Sequence, residues 1–375
     1  MALPGRPEPA NEPRPAPAAL DEAGEVREED RLDAERLAAF LAGTFPGTAG
    51  PLRVHQFRRG HSNLTYLVGW GEREMVLRRA PHGANVKTAH DMRREFTILS
   101  ALRPVYPKAP RPLAFCDDEG IAGARFYLME RVRGVVLRRE GAEGLELRPE
   151  LMGRLSRAFA DGLAELHAVD VSKGSLAALG KPEGYAARQV KGWTERYRKA
   201  RTDDWPEVEA AAAWIARNVP PDAGRAALVH NDYKYDNLVL DPGDPARVRA
   251  VLDWEMATLG DPVLDLGSTL AYWVDPDDPP EMRSLAFGPT ALPGNLGRAR
   301  LAGRYAERSG RDPGPLLFPY VFGLFKLAVI VQQIHRRWRD GFTTDPRFAE
   351  MGDMVRLLGA QASRALDRGR IDALG

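Results

Sequence analysis

A short apolar run, Leu228-Val229, delivers His230-Asn231-Asp232. Asn237 stands five positions after Asp232, and a second apolar run, Val251-Leu252, ends in Asp253. An aspartate can accept the proton of an attacking hydroxyl, while an amide oxygen and a second carboxylate can hold a hard cation against a polyphosphate. Base and metal ligands must face one small volume, and a short loop closed at each end by an apolar strand holds both. The chemistry implied is phosphoryl transfer with magnesium, which takes oxygen ligands, keeps several waters and needs no soft donor. A lone His-x-Asp would carry little, since a buried histidine is often a hydrogen-bonded core residue, and 241–245 is turn chemistry. The ordered series is what carries the reading.

The elements that must position these residues follow along the chain. Residues 1–29 are dense in Pro, Ala and Glu with almost no large apolar side chain, so a disordered tail is expected there. A helix is expected from Asp30, with Leu32, Leu37, Phe40 and Leu41 at helical spacing and Gly43 at its end. Alternation over 52–57, 64–70 and 74–79 predicts three short antiparallel strands. The turn between the first two carries Gly60, Ser62 and Asn63, which suit close backbone approach and donation to phosphate; alone, it is a plain hairpin turn. On the third strand Val76 and Arg78 share a face, an apolar residue for a base and a cation for phosphates.

Residues 90–102 predict a helix on which Glu95 is the candidate partner of Arg78. Two more strands are expected over 111–116 and 125–130, joined by a turn at 117–120. Beyond Gly134 the pattern is helical, over 151–169, 185–201, 205–218, 262–273, 296–309, 316–338 and 348–367. His167 is expected to satisfy helix-terminal carbonyls. Asp265 is expected to reach back to the catalytic loop, and the Trp residues to serve packing.

The string from His230 to Asn237, then Asp253-Trp254-Glu255, then Gly260-Asp261-Pro262-Val263-Leu264-Asp265-Leu266-Gly267 resembles the aminoglycoside phosphotransferase-like kinase family. Within it, the chain is most similar to the branch found as a kinase domain joined to acyl-CoA dehydrogenases. The resemblance covers residues 30–340 and implies an α+β, protein-kinase-like two-lobed fold. An antiparallel-sheet nucleotide lobe would span 30–132, with a hinge at its end, and a mainly helical lobe with the catalytic loop and substrate region would span 133–375. It implies Asp232 as catalytic base, Asn237 and Asp253 as magnesium ligands, and His230 and Asp265 as braces of the catalytic loop. Met129, Glu130 and Val132 would form the hinge, with backbone groups of Glu130 and Val132 meeting adenine and Gly134 completing its signature. ATP and Mg2+ are the implied cofactors. Three departures stand out from the protein-kinase form: Arg78 in place of Lys, Asn231 in place of Arg, and Trp254-Glu255 in place of Phe-Gly. A phosphorylation-controlled activation segment is therefore not expected.

Composition sets the outer limits. The chain has 375 residues and a net charge of +1, so bulk charge does not recruit nucleic acid. One cysteine, Cys116, excludes an intramolecular disulfide and a cysteine-rich zinc site, which together with the Pro- and acid-rich start leads to the expectation of a cytoplasmic protein. No membrane span is expected, because Lys326, Gln332 and Gln333 interrupt the most apolar stretch. The partner is then a small-molecule acceptor. The family name suggests polycationic aminoglycosides, for which Asp275, Asp277, Asp278 and Glu281 would supply acid. The dehydrogenase-joined branch suggests a hydroxyacyl-CoA or hydroxy acid and a functional link to an acyl-CoA dehydrogenase, with 318–325 as an acyl lining and His335, Arg336, Arg337 and Arg339 for CoA phosphates. A nucleotide-binding regulator without turnover and a two-metal phosphohydrolase complete the alternatives.

Overall fold

The computed structural model of the chain describes residues 20–57, 63–81, 91–139, 141–222, 224, 226–342 and 348–375. Helix α1 (Ala34–Thr44) starts at Asp33, whose side chain accepts the Arg36 N–H at 3.0 Å. Strands β1 (Leu52–Phe57), β2 (Leu64–Trp70) and β3 (Arg73–Arg79) run on from it. Helix α2 (Met92–Leu102), capped by Asp91, comes next, then β4 (Pro112–Cys116), the one-turn α3 (Glu119–Ala122) and β5 (Phe126–Glu130). The strands form one antiparallel sheet in the order β1-β2-β3-β5-β4.

Alternation along β3 divides the side chains as a pleated strand must. Met75 and Leu77 join Leu37 and Leu41 of α1 in one cluster, while Val76 faces α2 and the larger core shared with the second lobe. Residues 20–30 also belong to this lobe, although composition placed 20–29 in the tail. Gly24 pairs with Gln56 through two backbone hydrogen bonds, and buried Asp30 accepts the Gln56 amide at 2.8 Å. Residues 1–19 lie outside the described residues.

The second lobe is built on α4 (Pro149–His167), α5 (Tyr185–Ala200) and α6 (Pro206–Arg217). Two short ribbons follow: β6 (Ala227–Val229) pairs with β9 (Thr258–Gly260), and β7 (Leu238–Leu240) with β8 (Val248–Val251). Then come α7 (Pro262–Ala271), α8 (Pro280–Ser284), α9 (Arg298–Ser309), α10 (Leu317–Arg339) and α11 (Met351–Arg368).

Helix α10 is long and apolar enough to cross a membrane by length and composition, despite its interruptions, but the fold buries most of it against α5, α6, α7 and α11. Its crossing with α7 depends on two glycines. A Cβ on Gly267 would lie 2.3 Å from the Pro319 carbonyl oxygen, and one on Gly323 would lie 2.5 Å from that of Gly267. That close approach brings Asp265 and Lys326 to the same loop.

Candidate active site

The two ribbons place the reactive residues. β6 ends at Val229, just before His230, and its partner β9 runs into Asp261, whose side chain caps α7 by accepting the Val263 N–H at 2.8 Å. One turn into α7, Asp265 accepts the backbone N–H of His230 and of Asn231, each at 2.7 Å. This double acceptance holds Asn231 at φ +67°, a left-handed conformation that Asn tolerates better than most residues. In the other ribbon Leu238 faces Val251, and the Leu252 N–H donates to the Asn237 carbonyl at 2.8 Å. Asp253, at φ +65°, therefore leaves its strand beside Asn237.

Asp232 is held but not consumed. The Asn237 side-chain amide donates to its Oδ2 at 2.9 Å and to its backbone carbonyl at 2.8 Å. The Lys234 ammonium stands 3.1 Å from the same oxygen and over the Tyr272 ring. Burial acts to lower the Lys234 pKa, but Asp232, Tyr272 and Asp236 together hold it well above the usual lysine value, so the cation persists. Sequence reasoning gave Lys234 no role, although an extended backbone at this residue puts it on one side with Asp232, two positions away. His230 is fully buried and pushed down by that burial. Its Nε2 donates to the Leu252 carbonyl at 2.9 Å and its Nδ1 accepts the Asp232 N–H at 3.3 Å, which fixes a neutral tautomer.

The small lobe reaches the same volume. Arg78 donates through one arm to Glu95 at 2.8 Å and through the other to Asp253 at 2.9 Å. Glu95 also accepts the Trp254 N–H at 3.1 Å, so α2 grips the backbone just after Asp253. Burial acts to raise Asp253, but Arg78 and Lys234 hold it below the usual carboxylate range. Arg78 therefore bridges the lobes, rather than presenting an empty fork to phosphate as its strand position suggested. Asn63 likewise gives its amide to Glu255 at 2.7 Å, a second link between lobes. Gly60 and Ser62 lie outside the described residues.

Val76 and Met129 are register partners on β3 and β5, both buried. At the hinge the Glu130 N–H is committed to the Arg111 carbonyl at 2.9 Å, and its carboxylate accepts the Arg111 N–H at 2.8 Å. The Val132 N–H has no backbone partner among the described residues.

His167 does something other than cap its helix. Its Nε2 lies 3.0 Å from Asp265 and its Nδ1 2.8 Å from the Tyr305 hydroxyl, so it steadies the carboxylate that holds the catalytic loop. Nor do Asp275 and Asp278 line a cleft, being buried. Asp278 pairs with both arms of the Arg298 guanidinium, and Asp275 accepts the Arg298 backbone N–H at 3.0 Å. Residues 318–325 are core, and at the far end of α10 Arg336 pairs with Asp340 and Arg339 with Asp203.

For a cation the donors are specific. Because the Asn237 amide nitrogen serves Asp232, its Oδ1 is the free end. Asp253 Oδ2 is likewise free of Arg78, and its side chain is 26% exposed. Among the described residues no group of three His, Cys, Asp or Glu could hold a metal. Two oxygen donors fit magnesium, which completes its shell with water and phosphate, and do not fit a zinc site with three protein ligands.

Known proteins are similar to this chain. The profile of the Phosphotransferase enzyme family matches residues 53–304. Acyl-CoA dehydrogenase family member 10 of Mus musculus is 34% identical over 334 residues, which are 88% of this chain but 31% of that protein, so the chain spans about a third of that relative's length. The crystal structure of a putative aminoglycoside phosphotransferase from Ralstonia eutropha JMP134 superposes with a TM-score of 0.73 at 30% identity, covering 90% of this chain and 99% of that one. A thermostable mutant of aminoglycoside phosphotransferase APH(4)-Ia, solved as a ternary complex with AMP-PNP and hygromycin B, shares the fold at a TM-score of 0.56 and 16% identity, over 88% of this chain and 97% of that one. With a matched profile over most of its length and both lobes of a protein-kinase-like fold in place, this chain belongs to the phosphotransferase enzyme family and is a small-molecule phosphotransferase acting on hydroxyl groups.

Proposed function

We propose that the chain transfers the γ-phosphoryl group of ATP to the hydroxyl of a small acid, a hydroxy acid or a hydroxyacyl-CoA, in a functional link with an acyl-CoA dehydrogenase. The observation that carries the kinase chemistry is the convergence of Asp232, Asn237 and Asp253, from two separate ribbons, on one volume bounded by Arg78. The AMP-PNP complex of a protein with this fold supports ATP as donor.

Asp232 takes the proton of the acceptor hydroxyl; that oxygen bonds to the γ-phosphorus as the bond to ADP breaks. The Asn237 amide, by holding Asp232 Oδ2, orients the carboxylate for the acceptor. Lys234 supplies positive charge beside the oxygen that the reaction brings close to phosphate. Magnesium, when bound at Asn237 Oδ1 and Asp253 Oδ2, would neutralise charge on the phosphates. Val76, Met129 and the Glu130 and Val132 backbone would receive the adenine.

The acceptor class rests on charge. A polycation wants free carboxylates, and Asp275 and Asp278 are spent on Arg298. Beside Lys234 the side chains of Phe159, Tyr235, Tyr272, Trp273 and Phe287, with Thr269 and Thr290, pack around a cavity of only about 10 Å³. The Lys234 ammonium next to Asp232 favours an acidic acceptor over a polycation. The test is phosphate transfer from magnesium-ATP to hydroxyacyl-CoAs, hydroxy acids and aminoglycosides, with Asp232→Asn as the blank. Phosphorylation of the acid class by wild type alone supports the reading. Phosphorylation of aminoglycosides alone overturns the acceptor class, and ATP binding with no product overturns the kinase.

A further inference from the structure

Beneath the catalytic loop lies a cation that the reaction as described does not use. Lys326 sits in the apolar middle of α10 and is only 3% exposed. A buried ammonium is costly unless its donors are satisfied. Its Nζ donates to the Asn231 main-chain oxygen at 2.6 Å, stands 3.3 Å from Asn231 Oδ1 and 3.5 Å from Ser268 Oγ, and lies over the Trp193 ring at 5.7 Å. None of these partners is a carboxylate.

The oxygen it holds belongs to the peptide joining Asn231 to Asp232. The N–H of that peptide goes to His230 Nδ1 at 3.3 Å. The preceding N–H, of Asn231, goes to Asp265, and the Asn231 side chain is pinned by the Tyr185 hydroxyl at 3.1 Å and the Met256 carbonyl at 3.2 Å. Of these contacts, only that of Lys326 brings a full positive charge to the peptide that carries Asp232. We propose that Lys326 is a positioning residue for phosphoryl transfer: as an ammonium it orients the Asn231–Asp232 peptide and so aims the Asp232 carboxylate at the acceptor hydroxyl. This rests on Asp232 being the base.

Burial pushes Lys326 down to about 8. Its strongest electrostatic neighbours are Asp265 on α7, Asp232 and Lys234 on the loop, and Arg196 on α5; none lies on α6 or α11, which also pack against α10. The folded chain holds this proton less tightly than the unfolded chain. Stability therefore rises as pH rises from 8 toward the ordinary lysine value, while turnover falls as the charged donor is lost. A residue with a merely structural role would not set the two in opposition.

The experiment measures kcat, KM for ATP and thermal stability on both sides of pH 8, with hydrogen exchange at the loop amides, for wild type, Lys326→Met and Lys326→Arg. Lys326→Met is expected to lower kcat by up to about a hundredfold with KM for ATP unchanged, to abolish the alkaline fall, and to speed exchange at residues 231 and 232. Lys326→Arg, charged throughout, should regain part of kcat without the alkaline fall. Unchanged exchange in Lys326→Met, or an alkaline fall that survives in it, overturns the proposal. Should that variant not fold, wild-type activity and stability moving in the same direction above pH 8 would overturn it equally. If wild type turns over no ATP with any acceptor, the kinase reading fails while the exchange result still decides the role of Lys326.

Discussion

Two buried arginines each stand between two carboxylates, and only one of these clusters is partly open. Arg298 has a 1% exposed side chain, against 4% for Asp275 and 0% for Asp278, and Gln361 adds a donor to Asp278 at 2.8 Å. Arg78 is 7% exposed and Glu95 1%, but Asp253 is 26% exposed and keeps one oxygen free. The chemistry of the pairs is the same. What differs is whether one partner opens onto a cleft, and an ion pair open on one side can exchange a protein partner for a ligand where a sealed one cannot.

The contrast is broken most directly at the open side. Asp232→Asn should reduce phosphoryl transfer by about 10³-fold, the scale of a lost general base, while the thermal midpoint stays near that of wild type. Steady-state kinetics beside a melting curve checks both, and a large fall in stability would mean that the loop is as structural as the Arg298 cluster. Arg298→Met should do the reverse: stability in urea falls by about 3–5 kcal/mol, because two buried carboxylates lose their cation, and kcat of the folded fraction hardly moves. A loss under about 1 kcal/mol would show that the cluster is not sealed.

Arg78→Lys sharpens the comparison. A point charge cannot span Glu95 and Asp253 together, so the KM for ATP should rise about tenfold, the equivalent of one charge-assisted hydrogen bond. An unchanged KM would place Arg78 with Arg298, as a purely structural ion pair.

The remaining effect is a pH slope. Burial pushes Asp275 up from the ordinary 3.8 to about 6, against the opposing pull of Arg298. The folded chain then binds this proton more tightly than the unfolded chain, so the contribution of Asp275 makes stability fall as pH rises from about 4 to 6, by on the order of 3 kcal/mol. Asp275→Asn should remove that slope in urea titrations at several pH values, and a slope of opposite sign would mean that the Arg298 charge outweighs burial.

The order of the elements could be read from the chain because its causes are local. Alternation set β1 to β3, apolar runs marked β4 and β5, helical spacing set α2, α4 to α7 and α9 to α11 but not the short α8, and the spacing from His230 through Asn237 to Asp253 marked the candidate loop before any contact was known. Boundaries drifted where packing intervened: residues 20–29, poor in large apolar groups, are still tied to β1 by backbone pairing, which composition does not record. Roles drifted where they depend on what crosses the chain. His167 braces Asp265, Asn63 fastens to Glu255, and Lys326, read only as an interruption of an apolar run, lies against the Asn231 carbonyl.

By itself, then, the sequence determined which residue types were available, in what order, and on which strand or helix. It left the Asp residues near 232, 253, 265, 275 and 278 chemically alike. The resemblance had marked Asp265 as a brace, but tertiary structure alone decided which of the others is open and which is sealed. Neutralisation of a carboxylate depends on a cation brought within hydrogen-bond reach, and Arg78 and Asp253 are 175 positions apart, so no local pattern records their meeting.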